Sequence, residues 1–239
     1  MVYEVSPPRR LLQALAALAA RALPDRCLLC GEAGADGMDL CPACRSALPV
    51  PRNACVRCAV PLPADGVCGS CLRRPPTLQA TRAAFLYAPP LDRLLPRYKF
   101  HRDLASGRLL AQLMAHACAG CDRPGALMPV PLHRARLRQR GYDQALELAR
   151  PLSALLQLPL HAGALRRIRA TAAQSQLDAR TRRRNLHDAF QVVDRHPLPA
   201  HVVLVDDVMT TGATLQAAAA ALRRAGVERV DAWVCARAP

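Results

Sequence analysis

Aromatic side chains and lysine are scarce in this chain, and no long apolar run is present. Phe, Trp and Tyr together make up 3% of the 239 residues, so we expect a core of alanine, leucine and valine. Lys99 is the only lysine, and arginine supplies the other basic residues. No apolar stretch approaches the roughly 20 residues that a membrane-spanning helix needs. These absences argue against a transmembrane protein and against ligand binding dominated by stacking on aromatic rings.

The charge of the chain is strongly positive and unevenly distributed. The formal net charge at pH 7 is +15. Residues 129–185 contain twelve arginines against three acidic residues, which gives this segment +9 of that total. Such a segment forms either a solvated basic face or a surface for anions, and we favour the anion-binding surface. A folded domain this basic attracts polyanions such as nucleic acids.

Residues 1–26 have the outline of a secretory signal, because Arg9 and Arg10 precede a stretch rich in alanine and leucine. However, Gln13 interrupts that stretch, and its leucines recur at helical spacing on one face. We therefore predict an N-terminal amphipathic helix over residues 1–26. The protein is expected in the cytoplasm, with no membrane span.

Eight of the eleven cysteines occur as four CxxC pairs, which are Cys27/Cys30, Cys41/Cys44, Cys55/Cys58 and Cys68/Cys71. Two CxxC turns supply four thiolates to one tetrahedral zinc ion, so eight thiols suffice for two sites. A disulfide framework is the alternative, but it requires an oxidising compartment. We predict a zinc-binding domain over residues 27–74, with one or two structural Zn²⁺ ions and with sequential pairing favoured over interleaved pairing. Cys118, Cys121 and Cys235 are expected to be ordinary small residues at a helix end or in the core.

Beyond a linker at Arg74-Pro75-Pro76, segments typical of strands and helices alternate. The predicted strands are 81–88, 126–130, 160–167, 201–205 and 229–236. The predicted helices are 91–119, broken near Pro96 and again around His101, then 142–156 and 213–224. Because strands and helices alternate, we predict an α/β domain with a parallel sheet over residues 77–239.

The stretch VVLVDDVMTTGAT, residues 202–214, places two aspartates directly after an apolar run. In open α/β sheets, ligands bind at the carboxyl ends of the strands. We therefore expect the strand to end at Val205, with Asp206 and Asp207 at the rim and outside the core. The Thr-Gly turn that opens the next helix offers backbone N–H groups to a phosphate. An ordinary strand–helix turn with a capping carboxylate is the alternative, but a phosphorylated sugar fits both halves of the element.

This stretch resembles the motif with which type I phosphoribosyltransferases bind 5-phosphoribosyl 1-diphosphate (PRPP). The resemblance implies that Asp206 and Asp207 face the ribose hydroxyls and that Mg²⁺ binds together with PRPP. It also implies that the turn holds the 5-phosphate, through Thr210, Thr211, Gly212, Ala213 and Thr214. Purine-type members carry an acid at the position of Thr210, so a purine salvage enzyme is not expected.

Nearly all of the chain, from about Cys27 to Arg237, resembles the ComF family of the ComFC and GntX type. The residues that carry the resemblance are the cysteine pairs, RYKF (97–100), VPLHRARLRQRGYDQALELA (130–149) and parts of 169–190. In that family a Cys-rich zinc segment precedes a phosphoribosyltransferase-like domain. The resemblance assigns 130–140 to the pyrophosphate loop and 169–185 to a mobile hood over the site. Asp143 stands where the family usually has Asn, and His101 stands where Gly is common.

The resemblance and the charge pattern together supply the remaining candidate residues. The candidate catalytic residues are Asp206, Asp207 and Arg182. Further PRPP contacts are expected from Pro131, Arg134 and Arg140. The arginines expected to contact nucleic acid are Arg134, Arg136, Arg138, Arg140 and Arg183.

Members of the family are linked to DNA uptake, so the favoured function is a competence protein. It would handle incoming single-stranded DNA in natural transformation, bind PRPP or ribose 5-phosphate, and work with a competence helicase. The alternative is an active phosphoribosyltransferase, which would transfer ribose 5-phosphate from PRPP to an unidentified acceptor. The sequence contains no recognisable nucleobase pocket or general base for that reaction. A regulator that senses PRPP is the third alternative.

Overall fold

The computed structural model describes residues 25–169, 189–193 and 197–238. Within them, the chain divides into two compact units, one ending at Ala47 and the other beginning at Leu48. The helix predicted over residues 1–26 lies almost wholly outside the described residues. The domain boundaries drawn from the sequence stay predictions.

In its described part, residues 25–47, the first unit is a small cysteine-rich fold that contains one short helix, α1 (Pro42–Ser46). Two antiparallel bridges, Arg26 with Ala33 and Ala35 with Met38, close its loops. Cys41 caps the helix, because its Sγ accepts the backbone N–H of Cys44 at 3.4 Å. In units as small as this one, a bound metal ion commonly supplies much of the folding energy.

The larger unit alternates strands and helices, and the predicted α/β class is confirmed. Its strands are β1 (Thr81–Leu86), β2 (Ala126–Pro129), β3 (Leu165–Arg167), β4 (Phe190–Val192), β5 (His201–Met209) and β6 (Arg229–Arg237). Its helices are α2 (Gly69–Arg73), α3 (Leu91–His101), α4 (Leu104–Cys118), α5 (Arg134–Arg140), α6 (Gln144–Leu156) and α7 (Ala213–Arg224).

Four strands form one parallel sheet in the order β1–β6–β5–β2. The central strands β5 and β6 are apolar on both faces, because helices pack against each face of the sheet. Val202 and Leu204 lie in one core cluster with the buried side of α7. A single bridge from Leu127 to Leu160 extends the sheet beyond β2. Strands β3 and β4 pair separately as an antiparallel hairpin.

Two predictions about the boundaries of elements were wrong. Helix α3 runs through Pro96 without a break, because buried Leu94, Leu95 and Tyr98 anchor the turns around it. Proline there removes one helical hydrogen bond without ending the helix. The strand predicted over 160–167 is reduced to β3 and the bridge at Leu160, since residues 162–163 form a turn.

The four cysteines of the two later CxxC pairs, Cys55/Cys58 and Cys68/Cys71, belong to the larger unit. The segment that contains them lies along the edge strand β1. Thr81 donates its backbone N–H to the Val56 carbonyl and its hydroxyl to the Arg57 carbonyl, both at 2.8 Å. Arg237 donates Nε to the Cys58 carbonyl at 3.0 Å and Nη1 to the Met209 carbonyl at 3.2 Å. This group therefore covers a sheet edge that would otherwise be open. In the described ranges, no helix is both long and apolar enough to cross a membrane.

Candidate functional site

The two adjacent aspartates lie inside β5, not beyond its end. Strand β2 stops where Pro129 pairs with Val205, whereas β5 continues beside β6 as far as Met209. The prediction that the strand ends at Val205, with both carboxylates outside the core, was therefore wrong. Asp207 is only 6% exposed. The physical reason is that β6 continues to supply backbone partners after β2 has left the sheet.

The buried carboxylate of Asp207 is compensated by the only lysine of the chain. Lys99 Nζ, on the last turn of α3, lies 2.9 Å from Asp207 Oδ2. An unpaired carboxylate at this depth would be costly, so this ion pair makes the strand end tenable. The sequence reasoning did not identify Lys99 as a site residue. The sequence nevertheless contained a signal for Lys99, because the only lysine of the chain lies in RYKF (97–100), one of the segments that carry the family resemblance.

Asp206 is the less compensated member of the aspartate pair. Burial, together with the neighbouring carboxylate of Asp207, raises the pKa of Asp206 above its ordinary value. Its Oδ1 accepts the backbone N–H of Asp207 at 2.8 Å, and Asp207 Oδ1 accepts that of Val208 at 2.6 Å. Among the described residues, Lys99 is the one cation within ion-pair distance of the pair. The strand end therefore keeps excess negative charge and acceptor oxygens, which suit hydroxyl groups and hydrated Mg²⁺.

A pocket of about 170 Å³ opens above these carboxylates. The cationic residues in its lining are Lys99, Arg136, Arg140 and Arg167. The acidic residues in its lining are Asp143, Asp206 and Asp207. Among the described residues no aromatic ring lines it. Cations and carboxylates within one small volume fit a ligand that carries both phosphate and hydroxyl groups.

The pocket brings together part of the predicted PRPP site. The predicted contacts that line it are Asp206, Asp207, Thr214, Pro131 and Arg140. Arg136, predicted as a nucleic-acid contact, also lines it. Arg134 and Arg138 are exposed and lie outside the lining. Arg182 and Arg183 lie outside the described residues, as does most of the segment assigned to the hood.

The turn between β5 and α7 leads to the pocket, and Thr214 in the first turn of α7 is part of the pocket lining. Gly212 is the N-cap of α7 and has φ of +73°, a left-handed conformation that favours glycine. Thr210 and Thr211 are exposed, and Thr211 Oγ1 is 3.4 Å from the Ala213 backbone N. The first backbone N–H groups of a helix have no partners within it, so this turn can take a phosphate.

Asp143 anchors the loop on the opposite side of the pocket. It is the N-cap of α6, where its Oδ1 accepts the backbone N–H of Leu146 at 3.2 Å. Its Oδ2 accepts the backbone N–H of Leu132 at 3.0 Å. Burial raises the pKa of this carboxyl group, and these hydrogen bonds oppose the shift. A carboxylate has two acceptor oxygens where an asparagine amide has one. Asp143 can therefore hold both the loop and the start of α6.

Arg167 is a pocket residue that the sequence reasoning did not single out. It is on β3, is 9% exposed, and its guanidinium carbon lies 5.5 Å from the centre of the Phe190 ring. Burial and the positive charge of Arg136 lower its pKa, while Asp206 acts in the opposite direction. The β3–β4 hairpin thereby adds a cation to the pocket. In the sequence, nothing distinguishes Arg167 from its many arginine neighbours.

The eight N-terminal cysteines form two groups of four. The groups are Cys27, Cys30, Cys41 and Cys44, and then Cys55, Cys58, Cys68 and Cys71. Within each group the sulfur atoms lie within 4.8 Å of one another. The Sγ atoms of Cys30 and Cys41, which belong to different CxxC turns of the first group, are 3.6 Å apart. Those of Cys58 and Cys68 in the second group are 3.7 Å apart. A tetrahedral ion with Zn–S bonds of about 2.3 Å needs sulfurs about 3.8 Å apart.

Both groups therefore fit Zn²⁺, in the sequential arrangement that the sequence favoured. Four thiolates leave no open coordination position, so the ions are structural. Outside the groups, Cys118 is the buried last residue of α4, and Cys121 donates its backbone N–H to the Cys118 carbonyl at 3.0 Å. Cys235 is buried in β6.

Two family models match the chain, and they cover the two regions described above. A double zinc ribbon domain matches residues 18–72. A phosphoribosyl transferase domain matches residues 144–239. The first match includes both cysteine groups, and the second includes β5, its aspartates and the turn that follows.

Several characterised proteins resemble this chain over most of its length. DNA utilization protein YhgH of Escherichia coli O157:H7 is 38% identical over 226 residues, which is 90% of this chain and 98% of that protein. Competence protein F of Haemophilus influenzae is 38% identical over 179 residues, 72% of this chain and 78% of that protein. Competence protein ComFC of Bacillus subtilis is 27% identical over 196 residues, 78% of this chain and 79% of that protein.

Proposed function

The chain belongs to the ComF family, and on that basis we propose that it handles incoming single-stranded DNA in natural transformation and binds PRPP in its pocket. The names of its relatives, a DNA utilization protein and two competence proteins, support the first half. The pocket supports the second half and is the observation that carries the proposal. A volume of about 170 Å³ is lined by the two carboxylates, by several cations and by Thr214 at the start of α7.

Each part of PRPP has a chemically matched group in the pocket. The ribose hydroxyls would donate to Asp206 and Asp207, and the 5-phosphate would bind the turn that includes Thr214. Arg136 and Arg140 would bind the pyrophosphate, since guanidinium groups bind phosphate oxygens in pairs. Mg²⁺, when bound with PRPP, would neutralise part of the pyrophosphate charge.

The arginines of α5 divide between the pocket and the surface, which supports two kinds of anion contact. Arg136 and Arg140 are four residues apart and line the pocket. Arg134 and Arg138 are also four residues apart, and both are exposed. Residues four apart share one face of a helix, so one face serves the pocket and the other serves a surface. The outer pair would contact the phosphates of the DNA backbone.

Calorimetric titration with PRPP and Mg²⁺ tests the pocket. We expect binding by the wild type and about tenfold weaker binding by Arg136→Gln, because a charged hydrogen bond to phosphate contributes roughly 1.5–3 kcal/mol. Arg134→Gln is the matched control on the same helix, and its affinity should stay within twofold. Equal effects of the two substitutions would contradict the assignment, and no binding by the wild type would remove PRPP from the proposal.

A salt series with single-stranded DNA tests the second half of the proposal. The logarithm of the binding constant should fall linearly with the logarithm of salt concentration, because DNA binding releases counterions. Arg134→Gln should reduce the slope by about 0.7, the value for one phosphate contact on a single strand. An absence of DNA binding by the wild type at low salt would exclude this role and leave PRPP binding to be judged separately.

Phosphoribosyl transfer is the second candidate function. It is favoured by Arg136, Arg140 and Arg167, which line one pocket and could stabilise a departing pyrophosphate. Release of pyrophosphate from PRPP on addition of DNA would support a reaction, and unchanged PRPP after prolonged incubation would exclude transfer to that acceptor.

The proposal also includes a competence helicase as partner and a cytoplasmic location. The thiolates of the zinc groups require a reducing compartment, which supports that location. Co-purification of the full chain with the helicase from competent cells tests the partnership, and separation of the two proteins at physiological salt would contradict it.

A further inference from the structure

Phe100 is an exposed aromatic side chain in a chain that has few aromatics. It is 65% exposed, although it follows directly after Lys99, whose ammonium group points inward to Asp207. Consecutive residues of a helix point about 100° apart, so the last turn of α3 supplies both an inward cation and an outward ring. The exposed ring is therefore placed beside the ligand pocket.

The Phe100 ring is in contact with the pocket wall through Arg140. The guanidinium carbon of Arg140 lies 5.5 Å from the centre of the ring, in the geometry of a cation–π contact. Arg140 itself lines the pocket. The ring therefore lies immediately beside the pocket, with one side on the guanidinium group and most of its surface exposed to solvent.

Hydrogen bonds hold this end of α3 against the segment that follows α5. The Tyr98 hydroxyl donates to the Gln144 carbonyl at 2.5 Å, and Gln144 Nε2 donates to the Lys99 carbonyl at 3.3 Å. Arg102 Nη2 donates to the Arg140 carbonyl at 3.2 Å. The backbone on both sides of the Phe100–Arg140 contact is thus fixed, so the ring is preorganised for a partner.

The residues around the ring are cationic. The segment 97–102 reads RYKFHR and contains no acidic residue. Arg102 is exposed, and Asp103, the next residue, is already paired with Arg97 at 2.8 Å. An exposed ring flanked by Arg102 and Arg140 is complementary to a single strand of nucleic acid, which offers a flat base and an anionic backbone at once.

We propose that Phe100 and Arg140 form a stacking platform that binds one base of single-stranded DNA beside the pocket. This inference rests on the proposed DNA role and identifies where a base, as distinct from a phosphate, is bound. Phe100 stacks on the base, and Arg140 supports the ring from the pocket side. Because every base has a flat face, the platform binds without sequence preference.

The test compares two single-stranded probes of twelve nucleotides, oligothymidylate and an abasic deoxyribose-phosphate chain, by fluorescence anisotropy with the full zinc-loaded protein. Phe100→Ala should weaken binding of oligothymidylate by about 5- to 100-fold, the effect of losing one base–aromatic stack. It should change binding of the abasic chain by less than about twofold, because that probe has no base to stack. Phe100→Trp should restore oligothymidylate binding, which also shows that the site tolerates substitution.

Leu155→Ala is the matched control, since Leu155 is an exposed apolar residue (52% exposed) at the far end of α6. Equal binding of oligothymidylate by wild type, Phe100→Ala and Leu155→Ala would overturn the platform while leaving the DNA role intact. An equal loss on both probes would also overturn it, because the ring would then act through the phosphate contacts. Absence of any DNA binding by the wild type would overturn the DNA role itself.

Discussion

The two ends of the parallel sheet hold buried carboxylates in opposite ways. At the amino end, Asp231 is 5% exposed and is saturated with partners. Its Oδ2 lies 2.9 Å from His201 Nε2 and 2.8 Å from Arg229 Nη2, and its Oδ1 accepts the Ala80 N–H at 3.0 Å. At the carboxyl end, among the described residues, Lys99 forms an ion pair with Asp207, and Asp206 has no ion-pair partner.

This difference separates a structural carboxylate from the two carboxylates that we propose bind a ligand. The amino-end cluster joins the starts of β5 and β6, and Arg229 extends it to Asp122 at 2.8 Å. A charge that is fully paired within the fold stabilises the fold and has nothing left for a ligand. At the carboxyl end, burial and the neighbouring charge of Asp207 raise the pKa of Asp206. We infer that Asp206 lowers the free energy of unfolding and that both aspartates are retained because they bind a ligand, as is common at functional sites.

The largest effect should follow from Asp231→Ala, which removes the acceptor that holds the amino ends together. The free energy of unfolding should fall by about 3 kcal/mol, because breaking a buried ion pair leaves its partners uncompensated. Urea denaturation measures this loss, and PRPP affinity of the folded variant should stay within twofold. A loss below about 1 kcal/mol would show that the amino end is not the stabilising one.

A smaller loss should follow from Lys99→Met, which removes the cation of the carboxyl end. Asp207 is then buried without its ion pair, and we expect about 2 kcal/mol less stability, since the Lys99 side chain is 25% exposed. Lys99→Arg keeps a cation and serves as the control in the same denaturation experiment. If methionine is as stable as arginine at this position, the ion pair does not compensate Asp207.

The smallest effect concerns pH and Asp206. Because the folded pKa of Asp206 is raised, the unfolded chain loses this proton at lower pH than the folded protein does. The free energy of unfolding of the wild type therefore falls as pH rises from the pKa of Asp206 in the unfolded chain to its higher pKa in the folded protein. Asp206→Asn lacks the titration, so it should become more stable than wild type by about 1 kcal/mol between pH 5.5 and 8.

Comparing the two proteins at each pH cancels the contribution of the zinc groups, which both contain. A stability difference that does not change with pH would contradict the assignment of an incompletely paired carboxylate to Asp206.

The features predicted from the sequence were those encoded in short local patterns. Four CxxC pairs, alternating strands and helices, and a double aspartate before a Thr-Gly turn are each visible within a few residues. Lys99, Arg167 and Phe100 were not assigned to the site, because their roles depend on elements far apart in the chain. The strand end at Val205 was misplaced for the same reason, since its continuation depends on β6.

The scarcity of aromatics limits the number of stacking contacts that the chain can make. A low overall content argues against extensive stacking, but one ring suffices if tertiary contacts hold it at the right place. Phe100 has that position because Tyr98, Gln144 and Arg102 fix the chain around it. Composition therefore limits the number of such contacts and does not locate them.

The most direct test of the account is calorimetric titration of the wild type and the Asp206→Asn/Asp207→Asn variant with PRPP and Mg²⁺, beside urea denaturation of both proteins. We predict that the variant loses at least about 100-fold in affinity, since two charged acceptors are removed. Its free energy of unfolding should fall by less than that of Asp231→Ala, because loss of the Lys99 ion pair is offset in part by removal of the repulsion between the two carboxylates. Unchanged affinity in the variant, or a loss of stability like that of Asp231→Ala, would contradict the assignment of the carboxyl end of the sheet to ligand binding.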